Sequence, residues 1–256
     1  MSKYIYNHIK DPVDTRDKLF HLNFAITTTD KLPNSVDLRR SGLLPPVLDQ
    51  QSLGSCTANA TSNALRFLLK KNNNKDFQPS RLFIYYFTRF LENSVDEDAG
   101  CIIRNVMKAV SKFGACSENL WGYKVDRFKI KPDEQCQKAG LTHTKSFKYM
   151  SVKQNLTAIK NALAQGFPIV FGISVYESFE SQVVMKSGNV CMPKKTEENL
   201  GGHCILLVAY DDTSKLFTFM NSWGTKVGQN GYFTIPYSYV LDKNLASDFW
   251  ICTGFV

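Results

Sequence analysis

Apolar residues recur at helical spacing through the front half of the chain, and give way to alternating or continuous apolar runs behind it. Residues 57–71 carry Ala60, Ala64, Leu65, Phe67, Leu68 and Leu69 on one broad face, and Asn72-Asn73-Asn74 ends the pattern. Two further helices are expected, over 80–93 after Pro79 and over 102–113 before Gly114. Ser151-Val152-Lys153-Gln154 has the form of a capping box, so a shorter helix is expected from Ser151 to near Gly166. Strands are expected at 169–175, 203–210, 215–220 and 231–236. The turn Asp211-Asp212-Thr213-Ser214 makes a hairpin of the middle pair and returns Asn221 to the side of His203. Helices first and strands second imply an α+β protein with two lobes and a groove between them. The helical lobe is placed at about 45–150 and the sheet lobe at about 151–256.

Composition narrows the class without naming a chemistry. With 256 residues, 43% of them hydrophobic, the chain can build a core divided by a cleft. The net charge of +8 is spread out, and Lys70-Lys71 and Lys194-Lys195 are only pairs. With no interleaved aromatics, this reads as a solvated basic surface, and no nucleic-acid partner is expected. No apolar stretch is long enough to be a leader or a membrane span, so a cytoplasmic or virion-associated protein without membrane contact is expected. There are 7 cysteines and no Cys-x-x-Cys pair, so neither a metal site nor a cofactor is expected. In a reducing compartment the expectation is no structural disulfide.

The chemistry sits in two short segments, Gln50 to Cys56 and Gly201-Gly202-His203-Cys204. Cys56 falls in the first turn of the 57–71 helix, where free backbone N–H groups and the helix dipole favour a thiolate. Ser55 is a suitable N-cap, and a histidinium beside the sulfur would bring its pKa into roughly the 3.5–7.5 range. His203 opens an apolar strand, and the hairpin supplies Asn221 to orient its ring. A thiol, an imidazole and an orienting amide are the minimum set for acyl transfer by cysteine. His203 follows Cys56 by roughly 150 residues, with Asn221 somewhat further on. His8, His21 and His143 have no such neighbour and read as surface or loop residues.

At this point the chain resembles the papain family of cysteine peptidases. The likeness rests on Gln50 to Cys56, on the histidine segment, and on Asn221 to Tyr232 (NSWGTKVGQNGY), and it covers about residues 32–256. Leu32 to Arg39 is similar to the mature start of those enzymes. The run from Pro45-Pro46-Val47-Leu48-Asp49-Gln50 to Ala60 looks most like the xylellain-type branch, found in bacteria and large DNA viruses. The resemblance implies a papain-like fold and a peptide or protein substrate. It implies Cys56 as nucleophile, His203 as acid/base and Asn221 as orienting residue, with Trp223 shielding their hydrogen bond. Gln50 would serve the oxyanion hole, Gly100 would line the non-primed side, and Gly202 would offer backbone groups to a bound peptide. Leu53 and Thr57 stand where the family usually has a cysteine and an aromatic residue. The run after Cys252 is too short for the tail that often floors the main specificity pocket, so no substrate preference is carried over.

Hydrolysis is the favoured reading. An acyltransferase using the same four residues and a silent binding relative are the alternatives. Residues 1–31 are apolar enough to expect a short arm or pro-segment lying on the lobes and partly obstructing the groove.

Overall fold

The computed structural model describes residues 4–20, 32–72 and 76–255. Strand β1 (Ser35–Asp37) leads to the helices α1 (Cys56–Lys71), α2 (Arg81–Leu91), α3 (Ile103–Phe113) and α4 (Glu134–Leu141). Then follow β2 (Lys148–Ser151), α5 (Leu156–Ala164), β3 (Ile169–Tyr176) and α6 (Gln182–Ser187). The chain closes with β4 (Asn199–Asp211), β5 (Leu216–Met220), β6 (Tyr232–Pro236), α7 (Tyr237–Leu241) and β7 (Ala246–Gly254). The strands form one antiparallel sheet in the order β2-β7-β3-β4-β5-β6, with β1 pairing along β4. This is the α+β arrangement expected, with helices on one side of the groove and the sheet on the other.

Helix α1 is the hinge of the architecture. It packs on α2 and α3 on one side and on β4 and β7 on the other. Its apolar face is therefore wide, and even its polar residues Asn59, Thr61, Ser62 and Asn63 are buried. Buried polar groups need partners. Ser62 Oγ donates to Pro79 O (2.5 Å), and Asn59 Nδ2 donates to Ser55 O (2.9 Å).

Several sequence expectations change. The expected helix at Ser151 does not begin there, because Ser151 ends β2 against β7. Asn155 caps α5 instead, accepting from Ala158 N at 2.8 Å. Gln154 turns its amide to the carbonyls of Val240 and Ala246, 2.9 Å each. Long-range carbonyls outbid the local capping box. Sheet residues also precede the helices, since Ser35–Asp37 pairs with β4.

Candidate active site

Each functional side chain is placed by a local feature of the backbone. Cys56 is the first residue of α1, and the turn before it runs through Gly54. Ser55 holds the N-cap position, but its side chain does not bond the first N–H groups of the helix. Its hydroxyl bonds Tyr123 Oη (2.7 Å), which donates to Gln50 O (2.8 Å). The β4–β5 hairpin sets Asn221 beside His203, as the pattern required. Asn221 Oδ1 accepts from Ser222 N (2.8 Å), so it is an acceptor, and His203 Nε2 at 2.8 Å must be the protonated nitrogen. That leaves Nδ1 as the unprotonated nitrogen. It is buried and has no hydrogen-bond partner among the described residues. The Cys56 thiolate form draws on the backbone N–H of Cys204, directly after His203, which brings the thiol to the imidazole's end of β4.

Gln50 is completely buried and held at both ends of its amide. Oε1 accepts from Ser222 Oγ (2.7 Å), and Nε2 donates to Leu53 O (3.0 Å). One Nε2 hydrogen remains beside the thiol-bearing turn. Trp223 stacks on the His203 ring, centroids 4.9 Å apart at 24°. Asp98 ties the Gly100 wall to the same turn by accepting from Gly54 N at 2.9 Å. Ser222, Tyr123 and Asp98 are the positioning residues that sequence reasoning missed. Ser222 lay in plain view within Asn-Ser-Trp-Gly, whereas Tyr123 carries no local signal.

The groove is filled by the chain's own N-terminal residues. Tyr4 stacks on Trp223 at 3.9 Å, and Tyr6 meets the His203 ring edge-on at 5.8 Å. Tyr6 Oη also donates to Glu180 Oε1 (2.6 Å), so the 177–199 excursion reaches the cleft. Asn7 bridges to Gly202, and its Nδ2 donates to Asp98 O (2.7 Å). His8 N donates to Gly202 O (2.9 Å). A Cβ on Gly100 would lie 1.9 Å from Asn7 O, and one on Gly202 would lie 2.2 Å from His8 O. Both glycines let a backbone pass at closest approach. Arg104 anchors the far end, bonding Asp17 Oδ2 (2.6 Å) and Pro12 O (2.5 Å). His8 is thus no surface residue. Its side chain is 4% exposed, with Nε2 3.4 Å from Asp248 Oδ2. His143 packs against Phe77 and Phe255, and His21 lies outside the described residues.

This covering reverses the expected electrostatics. Burial pushes the Cys56 thiol up to about 11, against the N–H groups that favour its charge. Burial likewise brings His203 down to about 4, with Asn221 opposing. Both groups are neutral in the covered groove. The lowered thiol pKa expected from the sequence does not hold there.

Among the described residues no cluster could hold a metal ion, and no helix is long and apolar enough to cross a membrane. All seven cysteines are free.

Comparison with known proteins agrees with this geometry. The family model described as papain family cysteine protease matches residues 32–248. An uncharacterized peptidase C1-like protein of Acanthamoeba polyphaga mimivirus is 44% identical, over 96% of this chain and 86% of its own length. Mouse cathepsin K is 28% identical over 79% of this chain, which spans 59% of that relative. The crystal structure of xylellain, a cysteine protease from Xylella fastidiosa, superposes with a TM-score of 0.88 at 37% identity, covering 97% of this chain and 95% of that one. The chain belongs to the papain family of cysteine proteases.

Proposed function

We propose that the chain hydrolyses peptide bonds through a thioester on Cys56, and that residues 4–12 hold it inactive until they leave the groove. The observation that carries the reading is the pairing of His203 Nε2 with Asn221 Oδ1, which leaves the buried Nδ1 unprotonated and without a hydrogen-bond partner among the described residues.

In the open groove, His203 Nδ1 takes the Cys56 proton. The sulfur then attacks the scissile carbonyl, and the oxyanion meets the backbone N–H of Cys56 and the free Nε2 hydrogen of Gln50. The imidazolium returns the proton to the leaving amine. Water, deprotonated by the same nitrogen, resolves the thioester to a carboxylate and a free thiol. Asn221 keeps the ring in register, and Trp223 covers the Asn221–His203 bond. Gly202 supplies backbone contacts to the extended substrate, as it does to Asn7 and His8, and Gly100 lets the substrate backbone pass close by, as it does that of Asn7.

The test is digestion of a diverse peptide pool by the chain lacking residues 1–10, with products read by mass spectrometry. Cleavage that Cys56→Ala abolishes supports the reading. Absence of cleavage, or cleavage that survives Cys56→Ala, contradicts it. Gln50→Ala should lower kcat by about two to three decades, the usual cost of one oxyanion donor. Ser222→Ala, which frees the Gln50 amide to rotate, should lower kcat less, with KM little changed. Equal kcat for Gln50→Ala and the parent would remove Gln50 from the oxyanion hole.

A further inference from the structure

The arm shows where a substrate side chain goes. Asn7 packs on Gly54, beside the thiol: a Cβ there would lie 2.8 Å from Asn7 Nδ2. His8 is the next residue along the arm, and its ring enters a recess in the sheet lobe. The recess exists because β3 carries glycine at 172, where a Cβ would lie 2.1 Å from His8 Cε1. A glycine inside a strand commonly marks such a close approach. At its floor stands Asp248 of β7, with its side chain 8% exposed and Oδ2 3.4 Å from His8 Nε2. The sequence had suggested a specificity pocket without a floor. Strand β7 provides one.

Asp248 is aimed there at a cost. Its φ is +60°, a left-handed conformation uncommon for a residue with a Cβ. Oδ2 accepts from Ser247 Oγ (2.8 Å) and from Asp11 N (3.0 Å), and the latter donor belongs to the arm. When the arm withdraws, the carboxylate loses both the Asp11 N–H and the His8 ring. It then keeps the Ser247 hydroxyl and has acceptor capacity left for a cationic donor. A cavity of about 400 Å³, bordered by His8, Ile173, Gly201, Gly202 and Ala246, lies beside the recess. Lys243 also borders it, but as an exposed residue whose charge solvent screens.

The recess lies on the acyl side of the scissile bond. The leaving nitrogen must take its proton from His203, and Trp223 stacks on that ring, so the Trp223 end receives the leaving half. The Gly100–Gly202 end receives the acyl half. Asn7 sits at the thiol and His8 one residue beyond, so the recess takes the second residue on the acyl side.

We infer that the substrates of this peptidase carry a basic side chain, arginine or lysine, at that second position, selected by Asp248. His8 occupies the site as the arm's stand-in for that cation. The inference rests on the acyl-enzyme reading of the groove for its numbering of positions. The recess and its carboxylate do not depend on that reading.

The experiment uses the chain lacking residues 1–12, which removes His8 and Asp11 together from Asp248, and fluorogenic peptides that differ only in arginine or leucine at the second position. The arginine peptide should have the higher kcat/KM, by roughly ten- to a hundredfold, the factor for one charge-assisted hydrogen bond. Asp248→Asn should erase that preference by lowering the arginine peptide's kcat/KM to that of the leucine peptide, and asparagine tolerates the left-handed backbone. In parallel, calorimetry with the Cys56→Ala form measures binding of the same two sequences without turnover. Tighter binding of the arginine peptide, lost in Asp248→Asn, supports the pocket even if neither peptide is cleaved; that result would overturn the peptidase reading alone. Equal or tighter binding of the leucine peptide overturns the pocket inference whatever the cleavage assay gives.

Discussion

His203→Ala should abolish turnover, whereas Asn221→Ala should leave a measurable remainder. The imidazole does two things that nothing else in the groove can do. It removes the thiol proton through Nδ1, and it returns a proton to the leaving amine. Loss of either stops the cycle, so His203→Ala and Cys56→Ala should each cost on the order of 10⁶ in kcat, as single deletions within a unit do. Asn221 contributes only the acceptor at 2.8 Å from Nε2 and so fixes the ring's tautomer and rotation. Without it the productive orientation is populated less often, a loss on the order of 10² to 10⁴. Steady-state kinetics on the chain lacking residues 1–10 separate the two. Similar small losses in both variants would place the chemistry elsewhere.

Deleting residues 1–10 should raise the alkylation rate of Cys56 at neutral pH by about three to four decades. The deletion removes Tyr4, Tyr6, Asn7 and His8 from the groove. It leaves Asp17 on Arg104 and the buried Phe20 in place, so the remaining anchor persists. In the covered state the thiol titrates at about 11. At pH 7 it is then about one part in 10⁴ thiolate, whereas a thiol returned to water beside an imidazolium is mostly ionised. Iodoacetamide labelling with peptide mapping reads this directly. An unchanged labelling rate would mean the arm does not control the site.

The same groups set the pH dependence of covering. The raised pKa of Cys56 favours the covered state below the pH at which the thiol ionises in the open groove, and that contribution is lost as pH climbs toward 11. The lowered pKa of His203 favours covering above 6.5, and that contribution is lost as pH falls toward 4. Asp11 acts in the opposite sense on the acid side. Burial, with Asp248 beside it, raises its carboxyl to about 6, so its cost to the docked arm is felt above that pH and fades as the carboxyl protonates toward 3.8. The two acid-side effects are similar in size, so acid release of the intact arm should be shallow. Asp11→Asn should make it steeper between pH 6.5 and 4. An unchanged labelling profile in that variant would remove Asp11 from the balance.

What could be read from the sequence follows physical range. Helix α1 and the β4–β5 hairpin are long and periodic, so the positions of Cys56, His203 and Asn221 were legible before any coordinates. Strand β2 has four residues and owes its existence to long-range pairing with β7, about a hundred positions later. No local pattern could reveal it. The Ser55 hydroxyl and the Gln154 amide were misread because each finds a distant partner better than the nearby backbone. His8 was misread for the same reason, since its partner Asp248 comes from the other end of the chain. The neutral, covered state of the thiol was also out of reach. It depends on burial by an arm whose path through the groove only the folded molecule defines.

The most direct measurement of the central claim is the intact mass of the acyl-enzyme. The chain lacking residues 1–10 is mixed with a peptidyl ester, quenched in acid within the first turnover and mapped by mass spectrometry. One acyl group per chain is expected, on Cys56, lost on further incubation with water and absent in Cys56→Ala. An acyl group on any other residue, or ester hydrolysis that continues undiminished in Cys56→Ala, would contradict that claim.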